Sequence, residues 1–380
     1  MRWLWVPLLA LALAQAPKPL RVGPLAGEAL YPGNRGVSYG EAELLARGLG
    51  LALWRTEKEV ALGLGSRYRR FPVLENEGQA VRQQAAWLHQ GKVYVPLRPL
   101  AEALGLQYQA QAGVALSLPW AVLLGVEREQ DRLVLRFSRE VNALVRPGGI
   151  LFLLAQGQGA GFRQEAEGLF LSLDTPPDRL YYPGGGRVAL EWGPLSKPAP
   201  LVLLDPGHGG EDPGLVLDGV SEKDLTLDLA RRVARRLPQA RLTRTQDVSL
   251  SLEDRLAQAK QASVLVSLHV TRGREVNLYL PDGRTGPLAQ SAPELLRTAP
   301  EEQARLLKAY AGDPRQLAEA LEKAFGALGI PVARAEGPYA LTDIPGAAVL
   351  LEIGAERLAT PEAREALAQA IAQALEAYLP

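Results

Sequence analysis

Two of the three histidines of this chain lie at the ends of apolar runs. His208 stands in "LLDPGHGGEDPG", shortly after the run "LVLL", and His269 stands near the end of "SVLVSLHV". A third run, "AAVLLEIG", carries Glu352 near its end. Two imidazoles and one carboxylate form a common catalytic zinc shell, in which the fourth position is left for a water that the metal makes acidic.

A second glutamate, Glu222, begins an amphipathic segment. In "SEKDLTLDLARRVARRL", Ser221 is a suitable N-cap, and apolar residues from Leu225 to Leu237 recur at helical spacing, which predicts a helix with Glu222 in its first turn. If one carboxylate binds a metal, another must stay free to carry a proton between water and a leaving group. Spacing alone leaves a structural role equally open, because acids at helix starts also interact with the helix dipole.

Strand and helix patterns alternate along residues 201–380. Continuous apolar strands are typical of parallel sheets that are covered on both faces. The alternation predicts an α/β fold with a twisted, mostly parallel sheet flanked by helices. Because functional groups of such sheets lie at the carboxyl ends of the strands, His208, His269 and Glu352 are expected to meet at one edge.

Six motifs of this region resemble the zinc-dependent N-acetylmuramoyl-L-alanine amidases, in the same order and at fitting intervals. They are "LLDPGHGGEDPG", "SEKDLTLDLARRVARRL", "LTRTQD", "LEDRLAQA", "VLVSLHV" and "VLLEIG". The resemblance implies that Zn²⁺ is bound by His208, Glu222 and His269 and that Glu352 is the catalytic residue. It also implies hydrolysis of the amide between N-acetylmuramic acid and L-alanine in peptidoglycan, for cell-wall remodelling or daughter-cell separation.

One position departs from the family pattern. The family usually has Asn two residues after its second His, and this chain has Thr271. The departure concerns substrate contacts more than metal binding. It favours one alternative, a non-catalytic wall-binding or regulatory protein on an amidase scaffold. A zinc peptidase that acts on the stem peptide is a further alternative.

An extra segment, 281–313, follows the strand pattern "NLYL" and contains the helix-forming run "APELLRTAPEEQARLLKAY". Some division amidases carry at this point a helix that blocks zinc until a partner protein removes it. We therefore expect the segment, placed beside the active-site edge, to be either a surface elaboration or a gate that an activator protein opens. Glu294, Glu301 and Glu302 are the candidate blocking residues.

Three charged residues near the motifs are expected to support the site without binding the metal or reacting. Asp205 is expected either to orient His208 or to be a turn residue at the strand end. Arg244 and Arg255 match family positions, and they are expected to be structural, through ion pairs with Asp247 or Glu253.

The chain begins with "MRWLWVPLLALALAQA", which has one basic residue, a short apolar run and a small-residue cleavage pattern. We interpret residues 1–16 as a signal peptide, since the run is too short for a comfortable membrane span. A buried helix and an uncleaved anchor are the alternatives. The signal predicts export to the periplasm or cell envelope, with no membrane span after its removal.

Residues 20–118 contain a repeat, because "LARGLGL" recurs as "LAEALGL" and "VALGL" recurs as "VALSL". The repeat predicts an α+β domain whose two units share one sheet and whose helices end at glycines. "GKVYVPLRPLAEALGL" resembles the small N-terminal domain of copper amine oxidases, a module that carries no copper site itself.

His89 is either a metal or substrate contact or, as we favour, a polar hairpin residue. Residues 67–71, "RYRRF", either contact an anionic wall polymer or, as we favour, form a solvated loop.

Residues 119–195 consist of short apolar runs separated by turn-forming residues, which predicts a small β-rich domain. It distantly resembles the localisation domain of some cell-wall amidases. A proline-rich linker at 196–200 then leads to the catalytic domain, 201–380.

The overall composition excludes some classes of binding partner and of metal site. Lys plus Arg equals Asp plus Glu at 42 each, so the chain has no global positive field that would recruit nucleic acid. The chain has no cysteine, which excludes disulfides and thiolate zinc sites. The partner that the amidase resemblance implies is peptidoglycan.

Overall fold

The structure is a computed structural model that describes residues 16–34, 36–111, 113–193, 201–281, 300–342 and 344–379. The predicted signal peptide, apart from its last residue, and the predicted linker 196–200 lie outside these ranges. In the described part of the chain, no helix is long and apolar enough to cross a membrane.

The N-terminal part, residues 17–118, folds into two sheets and three short helices. Its elements are β1 Lys18–Val22, β2 Leu25–Ala29, β3 Tyr39–Glu41, α1 Ala42–Leu49, β4 Ala52–Arg55, β5 Glu59–Leu64, β6 Arg67–Leu74, α2 Glu77–Gln83, β7 Ala86–His89, β8 Lys92–Pro96, α3 Leu97–Leu104, β9 Gln107–Ala110 and β10 Val114–Ser117. The sheets have the orders β2-β1-β10-β9 and β3-β8-β7-β6-β5-β4.

The repeat of the N-terminal part is visible as two helix–strand–strand units. The helices α1 and α3 end at Gly50 and Gly105, whose φ angles of 59° and 71° confirm the left-handed caps. The expectation of one shared sheet is wrong. Strand β5 of the first unit pairs with β6, whereas β10 of the second unit pairs with β1, so each unit joins a different sheet.

Two local predictions in this part have different outcomes. His89 ends β7 at a hairpin turn through Gln90 and Gly91, and its ring stacks on Trp87 with 4.2 Å between centroids, so the hairpin role is confirmed. The expected loop at Arg67–Phe71 is wrong. These residues lie in β6 and pair with β5.

The middle part is β-rich, as predicted. Its strands are β11 Ala121–Arg128, β12 Arg132–Phe137, β13 Ala143–Arg146, β14 Gly149–Leu153, β15 Ala155–Gln156, β16 Phe162–Gln164, β17 Gly168–Ser172, β18 Arg179–Tyr181 and β19 Arg187–Glu191. They form sheets of order β15-β11-β12-β19-β18 and β13-β14-β17-β16, which enclose one apolar core.

A buried polar seam joins the N-terminal and middle parts. The fully buried amide of Asn142 donates to the carbonyl oxygens of Gly50 and Gly63, at 2.8 and 2.9 Å, and accepts from the backbone N–H of Gly65 at 2.8 Å. The buried carboxylate of Glu140 accepts from the backbone and the hydroxyl of Ser66. The seam therefore pairs its donors with acceptors across the two parts.

The C-terminal part contains the predicted α/β sheet. Its elements are β20 Val202–Pro206, β21 Val216–Leu217, β22 Val220–Ser221, α4 Glu222–Arg236, β23 Ala240–Leu242, α5 Leu252–Ala259, β24 Val264–Thr271, β25 Val276–Pro281, α6 Pro300–Tyr310, α7 Pro314–Ala327, β26 Ala333–Gly337, β27 Ala347–Gly354 and α8 Pro361–Tyr378. The sheet order is β23-β20-β24-β27-β25-β26, and only the β25–β27 pairing is antiparallel, which confirms a mostly parallel sheet.

Different helices pack on the two faces of this sheet. Alternate residues of the central strands form a large apolar core with α4, α7 and α8. The opposite face carries a smaller core beside α5. Towards the carboxyl ends of β24 and β27, that second face leaves His269 and Glu352 partly exposed.

The described residues of the extra segment, Pro281 and 300–313, do not lie where we expected them. Because β25 runs antiparallel to β27, Pro281 leaves the sheet at the edge opposite to Glu352. Helix α6 then packs against the middle part, where Leu307 is fully buried and Tyr310 nearly so. Two polar contacts add to this packing, from Gln303 Nε2 to the carbonyl of Leu180 at 2.6 Å and from Lys308 to Asp178 at 2.9 Å.

This position bears on the gate hypothesis. Glu301 and Glu302 belong to the helix that packs against the middle part, and Glu302 forms an ion pair with Arg305, so the expectation that these two residues block zinc is wrong. Glu294 lies outside the described residues. An activator protein stays a prediction.

Candidate active site

His208 lies in a tight loop after β20, with its backbone in the left-handed region at φ 61°. This conformation is uncommon for a residue other than glycine, so the surroundings must hold it. Arg255 donates from Nη2 to the carbonyl oxygen of His208 at 2.7 Å and from Nη1 to that of Pro206 at 3.0 Å. The loop is therefore fixed by a side chain from α5.

Asp205 acts on this loop only through Arg255. Its carboxylate, 1% exposed, pairs with Arg255 Nη1 at 2.5 Å and accepts from the hydroxyls of Thr243 and Ser267 at 2.6 and 2.9 Å. Asp205 thus supports the backbone of His208 through Arg255, and no hydrogen bond joins it to the His208 ring in the described structure.

The ring of His208 is oriented by Asp212 instead. His208 Nδ1 and Asp212 Oδ2 lie 2.7 Å apart. The hydrogen bond with His208, together with one from the backbone N–H of Gly214, holds the pKa of Asp212 below its usual value. Asp212 was not predicted from the sequence. The signal was present, since a carboxylate four residues beyond a histidine in a glycine-rich loop can fold back onto the ring.

Glu222 is the first residue of α4 and lies between the two histidines. Its Oε1 is 3.2 Å from His208 Nε2 and 3.1 Å from His269 Nδ1. The backbone N–H groups of Val270 and Leu215 donate to its two oxygens, each at 2.9 Å. Burial alone would raise the pKa of Glu222, but the hydrogen bonds with His269 and these backbone groups outweigh it, and the pKa is lowered. The carboxylate is therefore ionised at neutral pH, as a metal ligand requires.

His208, Glu222 and His269 thus bring three ligand atoms to within 4.8 Å of one another. Within the described ranges, this is the one such group of three or more His, Cys, Asp or Glu side chains. Two imidazole nitrogens and one carboxylate oxygen suit a catalytic zinc ion, which takes three protein ligands and leaves a fourth position open. The donor set therefore fits a zinc ion.

Two glycines permit this close approach. A Cβ atom on Gly207 would lie 2.5 Å from Cε1 of His269. A Cβ atom on Gly214, whose φ is 62°, would lie 2.6 Å from both Glu222 Oε2 and His208 Cδ2. Any larger residue would displace the ligand atoms, so both glycines are required by space, and Gly214 is required by its backbone conformation as well.

Glu352 lies beside the ligand group and is not part of it. Residues His269 and Glu352 are register partners on the parallel strands β24 and β27, so their side chains share one face of the sheet. Asn277 Nδ2 and Tyr279 Oη donate to Glu352 Oε2 at 3.1 and 3.0 Å. The described residues give Oε1 no hydrogen bond, so one carboxylate oxygen is held and the other is available.

Asn277 and Tyr279 were missed in the sequence. Both lie on β25, two residues apart, where "VNLYL" alternates between apolar and polar or aromatic residues, and this alternation was the available signal. Burial and the hydrogen bond to Glu352 raise the pKa of Tyr279, so its hydroxyl remains a donor at neutral pH.

A cavity of about 280 Å³ adjoins the ligand group on the same face. His208 and His269 form its polar end, and Leu250, Leu341 and Leu350 contribute apolar walls. A substrate with both polar and apolar groups fits this lining.

Comparison with known proteins supplies the family. Residues 202–377 match the family model described as N-acetylmuramoyl-L-alanine amidase. The C-terminal part is a domain of this amidase family. A curated relative, AmiC of Neisseria meningitidis serogroup B, is 36% identical over 105 residues, which cover 24% of this chain and 25% of the relative. LytC of Bacillus subtilis is 36% identical over 74 residues, which cover 18% of this chain and 15% of LytC. The chain thus matches a quarter or less of the length of these two relatives.

Solved structures of amidases are also similar to this chain. AmiC2 of Nostoc punctiforme has 27% sequence identity and a TM-score of 0.35, with 47% of this chain and 96% of that chain covered. The catalytic domain of CwlV from Bacillus (Paenibacillus) polymyxa has 24% identity and a TM-score of 0.37, with 47% and 97% covered.

The two arginines near the ligand group of the amidase domain are structural, but their expected ion pairs are wrong. Arg244 donates to the backbone carbonyls of Pro206 and Gly207, and Arg255 pairs with Asp205. The carboxylate of Asp247 is bound by Lys223 Nζ at 2.7 Å instead. Both arginines donate hydrogen bonds to backbone carbonyl groups of the loop. Buried carbonyl groups outside a strand pairing need such donors.

Proposed function

We propose that the amidase domain hydrolyses the amide between the lactyl group of N-acetylmuramic acid and L-alanine, with Zn²⁺ held by His208, Glu222 and His269. One observation carries this proposal. The three ligand atoms converge at the carboxyl ends of the strands, directly beside Glu352, which the ligand group does not include. Family membership of residues 202–377 supports the choice of substrate.

The ligand residues are prepared for a cation. The hydrogen bond between His208 Nδ1 and Asp212 fixes the tautomer in which Nε2 presents its lone pair towards Glu222. Ionised Glu222 supplies one negative charge from a site with 5% side-chain exposure. Polarisation of a carbonyl group and acidification of water are the chemistry that zinc supplies when bound to such a group.

Glu352 moves the proton. Its Oε2 is held by Asn277 and Tyr279, so Oε1 can accept a proton from the attacking water and pass it to the nitrogen of the leaving L-alanine. Proton donation to that nitrogen is essential, because an amide anion is too poor a leaving group at neutral pH.

The remaining parts of the chain would deliver the enzyme to its substrate. Residues 1–16 act as the signal peptide, and the protein works in the periplasm or cell envelope. The N-terminal part is a copper-amine-oxidase-N-like module, the middle part is a localisation module, and the enzyme serves cell-wall remodelling or daughter-cell separation.

Mass analysis of products tests the reaction. The zinc-loaded protein without its signal peptide is incubated with purified peptidoglycan. We expect free stem peptides that begin with L-alanine, beside peptide-free glycan. Shortened stem peptides still attached to glycan would indicate a peptidase, and no product from a protein that binds zinc would indicate a non-catalytic scaffold.

The Glu352→Gln variant tests the assignment of the base. We expect it to keep zinc and to lose turnover by about 10²- to 10⁴-fold, the usual contribution of general acid–base catalysis. Glu356→Gln is the matched control, since Glu356 is exposed, with 62% side-chain exposure, and lies four residues later. Equal activity of the two variants would exclude Glu352 as the base.

A further inference from the structure

Strand β6 exposes four consecutive residues, Arg67, Tyr68, Arg69 and Arg70. The strand is not loose, because every residue from Arg67 to Pro72 has a register partner on β5. Tyr68 is 58% exposed, whereas the next apolar residue, Phe71, is 1% exposed. An ordered strand therefore presents three cations and an aromatic ring to solvent, with Arg67 and Arg69 on one face of the strand and Tyr68 and Arg70 on the other.

Aromatic rings hold two of these guanidinium groups. Arg70 Cζ lies 5.6 Å from the ring centroid of Tyr68 and 5.9 Å from that of Trp54, and Arg69 Cζ lies 5.6 Å from that of Phe71. A guanidinium over a ring face keeps its in-plane N–H groups free for phosphate or carboxylate oxygens. The stacking also restricts the side chains before any ligand arrives, which reduces the entropy lost on binding.

The positive charge of this strand is not neutralised locally. In the described part of the chain, Arg67, Arg69 and Arg70 form no ion pair, although the neighbouring Arg55 pairs with Glu43. Residues 17–118 contain twelve Lys or Arg and eight Asp or Glu, whereas residues 201–380 contain twenty and twenty-five. The N-terminal part is thus basic within a chain of zero net charge.

The cationic surface continues towards the middle part. Arg67 and Arg139, both exposed, line a cavity of about 290 Å³ between the two parts, together with Gly185 and Gly186. Arg139 follows β12, so a second structural unit contributes to the surface.

We propose that β6, with Trp54 and Arg139, is a binding surface for an anionic polysaccharide, a glycan that carries phosphate or carboxylate groups. Guanidinium groups bind the oxyanions through paired hydrogen bonds, and the exposed ring of Tyr68 contacts a sugar ring. This surface is separate from the amidase site, and its function does not depend on the proposed reaction.

Binding to soluble polymers tests the surface. The protein without its signal peptide is titrated with phosphorylated dextran, with polygalacturonate and with neutral dextran. The test variant carries Arg67→Gln, Arg69→Gln and Arg70→Gln. The control variant carries Arg21→Gln, Arg47→Gln and Arg82→Gln, which removes the same charge from exposed positions of the same part.

We expect wild type and control to bind at least one anionic polymer, with affinity falling as salt rises, and the test variant to bind it about 10-fold or more weakly. None should bind neutral dextran. The polymer that is bound identifies the group, phosphate or carboxylate. Equal affinities of the test and control variants would overturn the proposal, as would equal binding of neutral dextran or tighter binding of single-stranded DNA.

A lysine variant separates geometry from charge and guards against a folding defect. Arg67→Lys, Arg69→Lys and Arg70→Lys together keep every charge but lose the planar, paired donors. We expect an intermediate loss of affinity with an unchanged unfolding midpoint. If the glutamine variant does not fold, the lysine variant decides the proposal, and wild-type affinity in it would overturn it.

Discussion

The molecule contains two buried polar clusters that resemble each other in composition but not in arrangement. One is the ligand group of the amidase domain, where Glu222 is 4% exposed, and the other is the seam between the N-terminal and middle parts, where Glu140 is 8% exposed. At the seam, the side-chain NH₂ of Asn142 donates to backbone carbonyl groups and its oxygen accepts from a backbone N–H. In the amidase domain, the groups that converge all carry lone pairs a metal can accept.

This difference shows which observation identifies a site. Burial of a polar side chain is a cost that hydrogen bonds offset, and the seam shows a fully satisfied case. Convergence of two imidazoles on one carboxylate oxygen brings together more lone pairs than the single hydrogen bond between His269 and Glu222 can use, so it indicates a cation. A search for buried acids alone would have found both clusters without showing which of them binds a metal.

The largest effect is expected for Glu222→Ala, because it removes the only charged ligand of the group. We expect zinc affinity to fall by more than the roughly 10- to 100-fold that loss of a supporting residue causes. Competition with a chelator of known affinity measures it. Glu140→Ala is the control from the seam, and any comparable loss of zinc in that variant would break the comparison.

Asn142→Ala should affect stability and not the metal. The change leaves two carbonyls and one N–H of the N-terminal part without partners, so we expect the free energy of unfolding to fall by about 3 kcal/mol. Denaturant unfolding measures this, with Ser66→Ala as a milder comparison at about 1 kcal/mol. Unchanged stability would show that the seam contributes no net free energy to the fold.

Asp212→Asn should give the smallest effect. Asp212 has 65% side-chain exposure and supports the His208 ring through one hydrogen bond, so we expect zinc affinity to fall by about 10-fold with little change in stability. Calorimetric titration compares it with Asp218→Asn, an exposed acid nearby. If both variants bind zinc like wild type, the loop alone orients the ring.

Much of the amidase domain could be predicted because its signals are local. Continuous apolar runs predicted buried parallel strands, and the strand ends placed His208, His269 and Glu352 at one edge. Glu222 followed from the helix pattern. Each inference needed only the period of the apolar residues and the direction of a parallel sheet.

Most of the errors concerned strand pairing, and one concerned the fold of a single loop. The antiparallel direction of β25, which places Pro281 at the opposite edge of the sheet, depends on pairing with β27. The two repeat units separate because β10 pairs with β1 and β5 with β6. The ring partner of His208 is Asp212 because of the fold of one loop, which spacing did not distinguish from Asp205.

Helix α6 has a consequence for how such a chain can be recombined. Although it lies within the amidase domain, it buries Leu307 and Tyr310 in the core of the middle part. Exchange of either part for an unrelated one would leave an apolar surface on both products. We therefore expect helix α6 and the β-rich part against which it packs to be inherited together, so that related chains contain either both or neither.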